Sequence, residues 1–310
     1  MKAIRFHDYG RPGVLRFEDV PMPEIGADDL LIKVHCAGVN PADTQFRRGD
    51  YRAFVPLPLP FIPGWDVAGS VESIGSGVTR FKTGDRVFAM SDMRRNGAYA
   101  EYIAVRASEV APAPATLPFE RAAGVPLAAL TAWKALSDEA GLRQGQSVLI
   151  HAGAGGVGLF AIQLARRAGA RVIATASSAN HALLRQLGAN EVIDYRERDF
   201  AVGLKDLDVV LDTVGGGTRE RSWPLLRPGG VLVAIAMPPP DAETARRHGV
   251  RAAMVSVQPD GERLAEIGRL IDADELTVVI DRDYPLSEAA DAHRRSEERH
   301  ARGKIILRVI

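Results

Sequence analysis

The 310-residue chain contains one cysteine, Cys36. A single thiol cannot build an internal disulfide framework or a multi-cysteine metal site, and it suits a reducing compartment such as the cytoplasm. No apolar run approaches the length that crosses a bilayer, and the first ten residues, MKAIRFHDYG, lack an apolar signal core. Secretion and membrane insertion are therefore not expected. An excess of one charge is also missing, since 39 Lys and Arg balance 39 Asp and Glu. No net field recruits nucleic acid or an anionic membrane, so a small molecule is the expected partner. The seven histidines, at 7, 35, 151, 181, 248, 293 and 300, show no ligand spacing and read as surface or core residues.

What the chain does have is a glycine loop in an informative place. The run from His151 through Gly153, Ala154, Gly155, Gly156, Val157 and Gly158 follows an apolar strand, Ser147 to Ile150, and opens a helix that reaches about Ala168. Gly153, Gly155 and Gly158 fit G-x-G-x-x-G, a pattern that is weak alone and strong between strand and helix. The first glycine is expected to permit a tight turn, the second to admit a pyrophosphate, and the third to let helix and strand pack. Free N–H groups and the helix dipole at Gly156 then face phosphate oxygens, which points to a bound dinucleotide.

Around this loop the chain divides by pattern. Residues 1–118 show short strand-like runs between Gly, Pro and Asp turns, among them Leu30 to Val39, Asp66 to Ile74 and Arg86 to Met90, and read as a mostly β domain. The stretch Ala111 to Pro118 looks like a crossover, followed by an apolar helix from about Phe119 to Leu136. Within 119–260, strands at 148–150, 172–174, 191–193, 209–211 and 231–235 alternate with helices, which implies a parallel sheet with right-handed crossovers. Residues 261–310 carry an amphipathic helix with Leu264, Ile267, Leu270 and Ile271, an apolar run at 276–280, a helix near 287–299 and a final strand at 304–310. These are assigned to the first domain, rejoined.

Further runs in this order are AGVNPAD at 37–43, PGWDVAG at 63–69, FKTGDRV at 81–87, GAYAEY at 97–102, LTAW at 130–133 and GKI at 303–305. With the glycine loop, they make the chain resemble the medium-chain dehydrogenase/reductase superfamily, and within it the zinc-free NADPH:quinone oxidoreductase branch, over almost its whole length. The resemblance implies an α/β protein: a Rossmann-type parallel sheet that binds the cofactor, and a mostly β, GroES-like catalytic domain, with the active site in the cleft between them. The superfamily's alcohol dehydrogenases hold a catalytic zinc through a cysteine and a histidine, which fall here at about Asn40 and Trp65. Neither replaces those ligands, so no zinc is expected, and reversible alcohol oxidation loses its Lewis acid.

Cofactor choice is read after the second Rossmann strand. Ala176 stands where an acid would bind the ribose 2′-hydroxyl of NAD, and Ser177 and Ser178 follow with hydroxyl donors. Tyr195 matches a position that reaches the 2′-phosphate in related enzymes, with His181 or Arg185 adding charge, so NADPH is favoured over NADH. Both serines could equally cap the next helix. The nicotinamide end is expected against Thr131, Val214 and Met237. Thr131 either bonds the carboxamide or bonds back to its own helix, and Gly215, Gly216 and Gly217 either permit close approach or form a loop.

For the substrate, hydride arriving at a quinone carbonyl or an enone leaves an oxyanion, and Asn40 and Tyr51 are the candidate donors. Asn40 also reads as a turn residue before Pro41, and Tyr51 as a rim aromatic. Asp43 is expected to orient neighbours. Phe54, Phe61 and Trp65 offer flat apolar surface to a planar acceptor, although any core could use them. The expected activity is NADPH-dependent reduction of a quinone. The alternatives are a 2-alkenal or enoyl-thioester reductase, for which Arg47, Arg48 and Arg52 could form a basic entrance, and a non-catalytic NADPH-binding redox sensor. A homodimer paired through the sheet edge near Val231 to Ile235 and the following segment is also implied, and Pro238 to Pro240 should end that strand, with a short helix or loop at 241–248.

Overall fold

The Val- and Ile-rich runs of the sequence pair into three sheets in this computed structural model, which describes residues 1–310. The strands are β1 (Lys2–Phe6), β2 (Leu15–Asp19), β3 (Asp29–Val39), β4 (Asp66–Ile74), β5 (Arg86–Met90), β6 (Tyr102–Arg106), β7 (Val110–Pro112), β8 (Ser147–Ile150), β9 (Arg171–Thr175), β10 (Glu191–Ile193), β11 (Leu207–Asp212), β12 (Leu226–Ala234), β13 (Arg251–Met254), β14 (Ile280–Pro285) and β15 (Lys304–Arg308). They fall in two units. One is Met1–Leu127 with Gln258–Ile310, and the other is Ala128–Val257.

In the first unit, β14-β15-β3-β4-β5-β7 form one sheet, with β6 also on β3 and a separate β1-β2 hairpin. The long β3 is the hub, pairing antiparallel with β4, β6 and β15 along its length. Its inward residues Leu30, Ile32 and Val34 are wholly buried, as period-two alternation requires. Cys36 lies on the same strand, buried, and burial pushes its thiol up to about 12, with Glu120 adding to the effect. β15 inserts between β14 and β3, so the carboxyl-terminal segment is part of this sheet. The expected amphipathic helix is Gly261–Asp272, with Leu264, Ile267, Leu270 and Ile271 all buried.

In the second unit six strands, all parallel, lie in the order β10-β9-β8-β11-β12-β13. Read along the unit this is 3-2-1-4-5-6, the doubly wound order of dinucleotide-binding sheets. Val148, Leu149 and Ile150 are wholly buried, as in a strand covered by helices on both faces. The order reverses between β8 and β11, and the glycine loop leaves the carboxyl end of β8 at that point.

Two expectations are corrected. The helix from 119 to 136 is broken into Phe119–Ala122 and Pro126–Trp133, because Pro126 has no N–H to continue a helix but suits a first turn. The chain then widens into π turns at Lys134–Glu139, with Ala140 N–H on Ala135 O at 3.0 Å. The apolar run at 276–280 leads into strand β14, which starts at its last residue, Ile280. The part of the expected edge at 231–235 is not free: β12 is paired on both sides, by β11 and β13, so the edge on this side is β13, in the segment that follows, while β10 ends the sheet on the other. Residues 242–247 form a short helix, capped by Asp241, whose carboxylate accepts from Thr244 N–H at 2.7 Å.

Gly69 of β4 shows how closely the first sheet is built, since a Cβ there would stand 2.1 Å from Lys33 O. Gly69→Ala is expected to lower stability by about 2 kcal/mol or more, read as a fall in urea midpoint with unchanged slope.

Candidate active site

The glycine loop is shaped by close approach. A Cβ on Gly158 would lie 2.5 Å from Ala152 O, and one on Gly153 would lie 2.9 Å from the Cβ of Ala174 on β9. The expected roles shift accordingly: the left-handed residue of the turn is Ala152 (φ +47°), and Gly153 serves packing against β9. Gly155 is an extended N-cap without a side-chain cap for the helix Gly156–Arg167. The first-turn N–H groups at Gly156, Val157 and Gly158 thus have no capping side chain, and the loop fits a diphosphate. Ala154, Gly155, Gly156 and Val157 are partly exposed and could reach it.

His151 holds the start of this loop. Its ring nitrogens lie 3.2 Å from Thr175 Oγ1 and 2.9 Å from Ser222 Oγ. Ser222 donates its own proton to Thr218 O at 2.7 Å, so it accepts from His151 Nε2–H. Thr175 Oγ1 accepts from Ala152 N–H at 3.2 Å and is left to donate to Nδ1. The histidine is therefore neutral and fully satisfied. Burial, aided by Arg221, pushes its pKa down to about 4. The sequence marked this histidine for no chemistry, because its partners stand 24 and 71 residues away.

Beyond the loop, a buried ion pair between Asp212 and Arg219, which the sequence did not reveal, ties the segments that follow β11 and β12. Arg219 Nε donates to Asp212 Oδ2 at 2.6 Å, and the other guanidinium nitrogens donate to Ala236 O and Pro238 O. Asp212 Oδ1 accepts from Val214 N–H at 3.0 Å and Gly215 N–H at 2.7 Å. The expected contact residues Val214 and Met237 sit on these loops, 46% and 44% exposed. Thr131 lies on the helix Pro126–Trp133 and is buried.

At the end of β9, Ala176 is buried and bonded to Ile193 O. Ser177 precedes a short turn, but its hydroxyl makes no cap bond and instead accepts from Asn180 Nδ2 at 3.1 Å. Asp194 accepts from Ser178 N–H at 2.6 Å and Arg196 N–H at 2.9 Å. These backbone donors hold its carboxyl below the usual range. Tyr195 is half exposed, with the Arg196 guanidinium 5.6 Å from its ring.

The first unit gathers a separate polar cluster. Asn40 begins the helix Pro41–Arg48, and its backbone N–H donates to Asp43 Oδ2 at 2.7 Å. Its side-chain amide points elsewhere: Nδ2 donates to Asp66 Oδ2 at 2.9 Å, and Oδ1 accepts from Lys304 Nζ. Lys304 also donates to Asp66 Oδ2 at 2.9 Å, while Asp66 Oδ1 accepts from Leu127 N–H at 2.7 Å. Asp43 is wholly buried and takes a second bond from Tyr99 at 3.1 Å, with His293 Nε2 at 3.1 Å on the same phenol oxygen. Burial, reinforced by Asp66, pushes the Asp43 carboxyl up to about 7. Burial pushes His293 down to about 3, assisted by Arg47, which pairs with Glu297.

The aromatic candidates separate. Tyr51 is half-buried, its ring 4.9 Å from Phe46 and its hydroxyl donating to Gln45 Oε1 at 3.0 Å. Burial, then Asp50, raises its pKa, so it stays a neutral donor. Phe54 is 77% exposed, but Phe61 and Trp65 are core residues packed with Phe6, Phe46 and Leu57. The expectation that Phe61 and Trp65 offer open surface to a substrate is therefore corrected: neighbouring aromatic and aliphatic side chains cover both.

Two family models match, "Alcohol dehydrogenase GroES-like domain" over residues 26–115 and "Zinc-binding dehydrogenase" over residues 187–307. The chain is 35% identical to the quinone oxidoreductase of Rattus norvegicus, over 98% of this chain and 96% of that protein. It belongs to the quinone oxidoreductase branch of the medium-chain dehydrogenase/reductase superfamily. It is also 37% identical to the 2-methylene-furan-3-one reductase of Solanum lycopersicum, over 100% of this chain and 79% of that protein. The solved structure of Escherichia coli quinone oxidoreductase complexed with NADPH superposes with a TM-score of 0.90 at 32% identity, covering both chains fully (100% each). The residues do not fit the zinc of the second family description. Asn40 Oδ1 accepts from an ammonium group, Trp65 presents an indole, and no three His, Cys, Asp or Glu side chains are grouped to hold a metal ion. No helix is long and apolar enough to cross a membrane.

Because His151 is neutral when folded, the unfolded state binds more protons between pH 6.5 and 4. Its share of stability is complete above pH 6.5 and lost as the pH falls to about 4, on the order of 3 kcal/mol. The slope of melting temperature against pH over that window should be shallower in His151→Asn than in the parent; equal slopes would contradict the assignment.

Proposed function

We propose that this chain reduces a quinone with NADPH, independently of zinc. The observation that carries the reading is the glycine loop at the reversal point of a 3-2-1-4-5-6 sheet, opening a helix with no side-chain cap. The loop residues Gly153, Gly155, Gly156 and Gly158 would hold the diphosphate. Ser177, Ser178 and Tyr195 would take the 2′-phosphate, with the Ser177 hydroxyl unspent on capping. Thr131, Val214 and Met237 would take the nicotinamide. When bound, the cofactor supplies a hydride, so that NADPH, a proton and a quinone give NADP⁺ and a hydroquinone.

The protein's part is to bind, orient and stabilise charge. Tyr51 would turn its hydroxyl from Gln45 Oε1 to the product oxygen and donate its one phenol proton there. Asn40 is buried, its amide held between Asp66 and Lys304, so the expected direct donation to the substrate is replaced by a positioning role at the start of the helix Pro41–Arg48. Asp43 orients Asn40 through the backbone bond, and Phe54 supplies apolar surface beside Tyr51. Residues 1–118 and 261–310 form the catalytic part of this reading and 119–260 the cofactor part. The chain would work in the cytoplasm as a homodimer joined at the β13 edge, and a monomer in sedimentation equilibrium would remove that element.

A second reading, reduction of a conjugated carbonyl at its double bond, is supported by the likeness to the tomato reductase. The two separate when the chelator-treated protein is assayed for NADPH oxidation with ortho- and para-quinones and with 2-alkenals and enoyl thioesters, NADH in parallel. Turnover with quinones is expected, and turnover on alkenals or thioesters alone selects the second reading. Loss of activity on chelation overturns zinc independence, and tight NADPH binding without turnover by any acceptor would make the chain a redox sensor. In Tyr51→Phe, kcat is expected to fall about 100-fold with NADPH KM unchanged; an unaltered kcat removes Tyr51 from the chemistry.

A further inference from the structure

The guanidinium of Arg219 is only 4% exposed, and all three of its nitrogens are bonded within the second unit. Two of them end on carbonyls of the segment after β12, Ala236 O and Pro238 O. The third ends on Asp212, whose other oxygen holds the N–H groups of Val214 and Gly215 after β11. One side chain therefore ties two loops that leave adjacent strands. Gly215 confirms how closely they meet: a Cβ on it would lie 3.4 Å from both Ala236 Cβ and Met237 O. These bonds do not join the strands themselves, which are already paired by their own ladder from Val209↔Val231 to Asp212↔Ala234.

In an open parallel sheet the ligand lies beyond the carboxyl ends of the strands at the point where their order reverses. β11 stands next to β8 at that point, and its loop and the next one carry the exposed apolar side chains Val214 and Met237. We propose that Arg219 is a positioning residue for the nicotinamide end of the cofactor, fixing the loops 213–215 and 236–238 as one surface against which the ring is held. This rests on the NADPH reading above. Arginine is needed because its planar fork reaches a carboxylate and two carbonyls at once, whereas a lysine ammonium would keep the ion pair but cannot span all three acceptors.

The test compares NADPH with adenosine 2′,5′-bisphosphate, which keeps the adenosine and the 2′-phosphate but has no nicotinamide. In Arg219→Lys the dissociation constant for NADPH is expected to rise about tenfold while that for the bisphosphate stays within about twofold. Equal weakening of both would show general damage to the unit, and no change in either would show that the loops do not sense the nicotinamide; both results overturn the proposal. Hydrogen exchange on the unmutated protein gives a second arm that does not depend on the variant folding. NADPH should protect peptides covering 212–217 and 235–240 more than the bisphosphate does, and equal protection overturns the assignment. If the unmutated protein binds the bisphosphate and NADPH equally, the proposal fails while the phosphate site stands; if it binds neither, the cofactor reading itself has failed.

Discussion

A charge taken out of water must be met by an opposite charge and by hydrogen bonds, and in the first unit this condition is satisfied at Asp66. Its two oxygens collect Asn40 Nδ2, Lys304 Nζ and Leu127 N–H, donors that come from widely separated parts of the chain. Removing one partner of such a pair typically costs about 3–5 kcal/mol because the other stays buried. The start of the helix Pro41–Arg48, the start of β4, the first turn of Pro126–Trp133 and the returning strand β15 are thus fixed by one carboxylate. The carboxyl-terminal segment belongs to this unit for that reason as well as for its place in the sheet.

The second unit solves the same problem by the same means at Asp212, where Arg219 is the counter-charge and backbone N–H groups take the remaining oxygen. Around His151 it uses neutral groups instead. There every hydrogen has one acceptor in sequence, from Ala152 N–H to Thr175, from Thr175 to the imidazole, from the imidazole to Ser222, and on to Thr218 O. A chain of this kind keeps the imidazole neutral and in one tautomer until the pH falls to about 4, so above that the loop start is defined by tautomer as well as by shape.

The glycine loop, the first five strands of the parallel sheet and the return of the last strand were legible because each is signalled locally, by residues within a turn or by a strand's own periodicity, whereas the order of the strands and the sixth of them came only with the structure. Asp43 was legible as a residue that orients its neighbours, and the structure shows the neighbour to be Asn40, three residues back at the start of a helix. Lys304, Arg219 and His151 were not, because a lone charged or imidazole side chain carries no mark of a partner across a sheet. The apolar run from 119 to 136 misled because its many Ala and Leu residues favour a helix on either side of the break that Gly124, Val125 and Pro126 make. The aromatic residues misled in the opposite sense: Phe61 and Trp65 have the composition of a planar binding surface and the position of a core. β12 was mistaken for an edge because a short final strand of four residues, Arg251–Met254, carries little apolar signal of its own.

The lone thiol has a consequence for the chemistry assigned to this protein. Quinones and conjugated carbonyls are soft electrophiles that add to thiolates, and the thiolate is the reactive form of cysteine. Cys36 sits inside β3 at 2% exposure, with its ionisation pushed up to about 12. At neutral pH it offers such molecules neither access nor a nucleophile. A catalyst of this composition can turn over thiol-alkylating substrates without being inactivated by adduct formation at its own cysteine, so its working lifetime is decoupled from the toxicity of what it reduces.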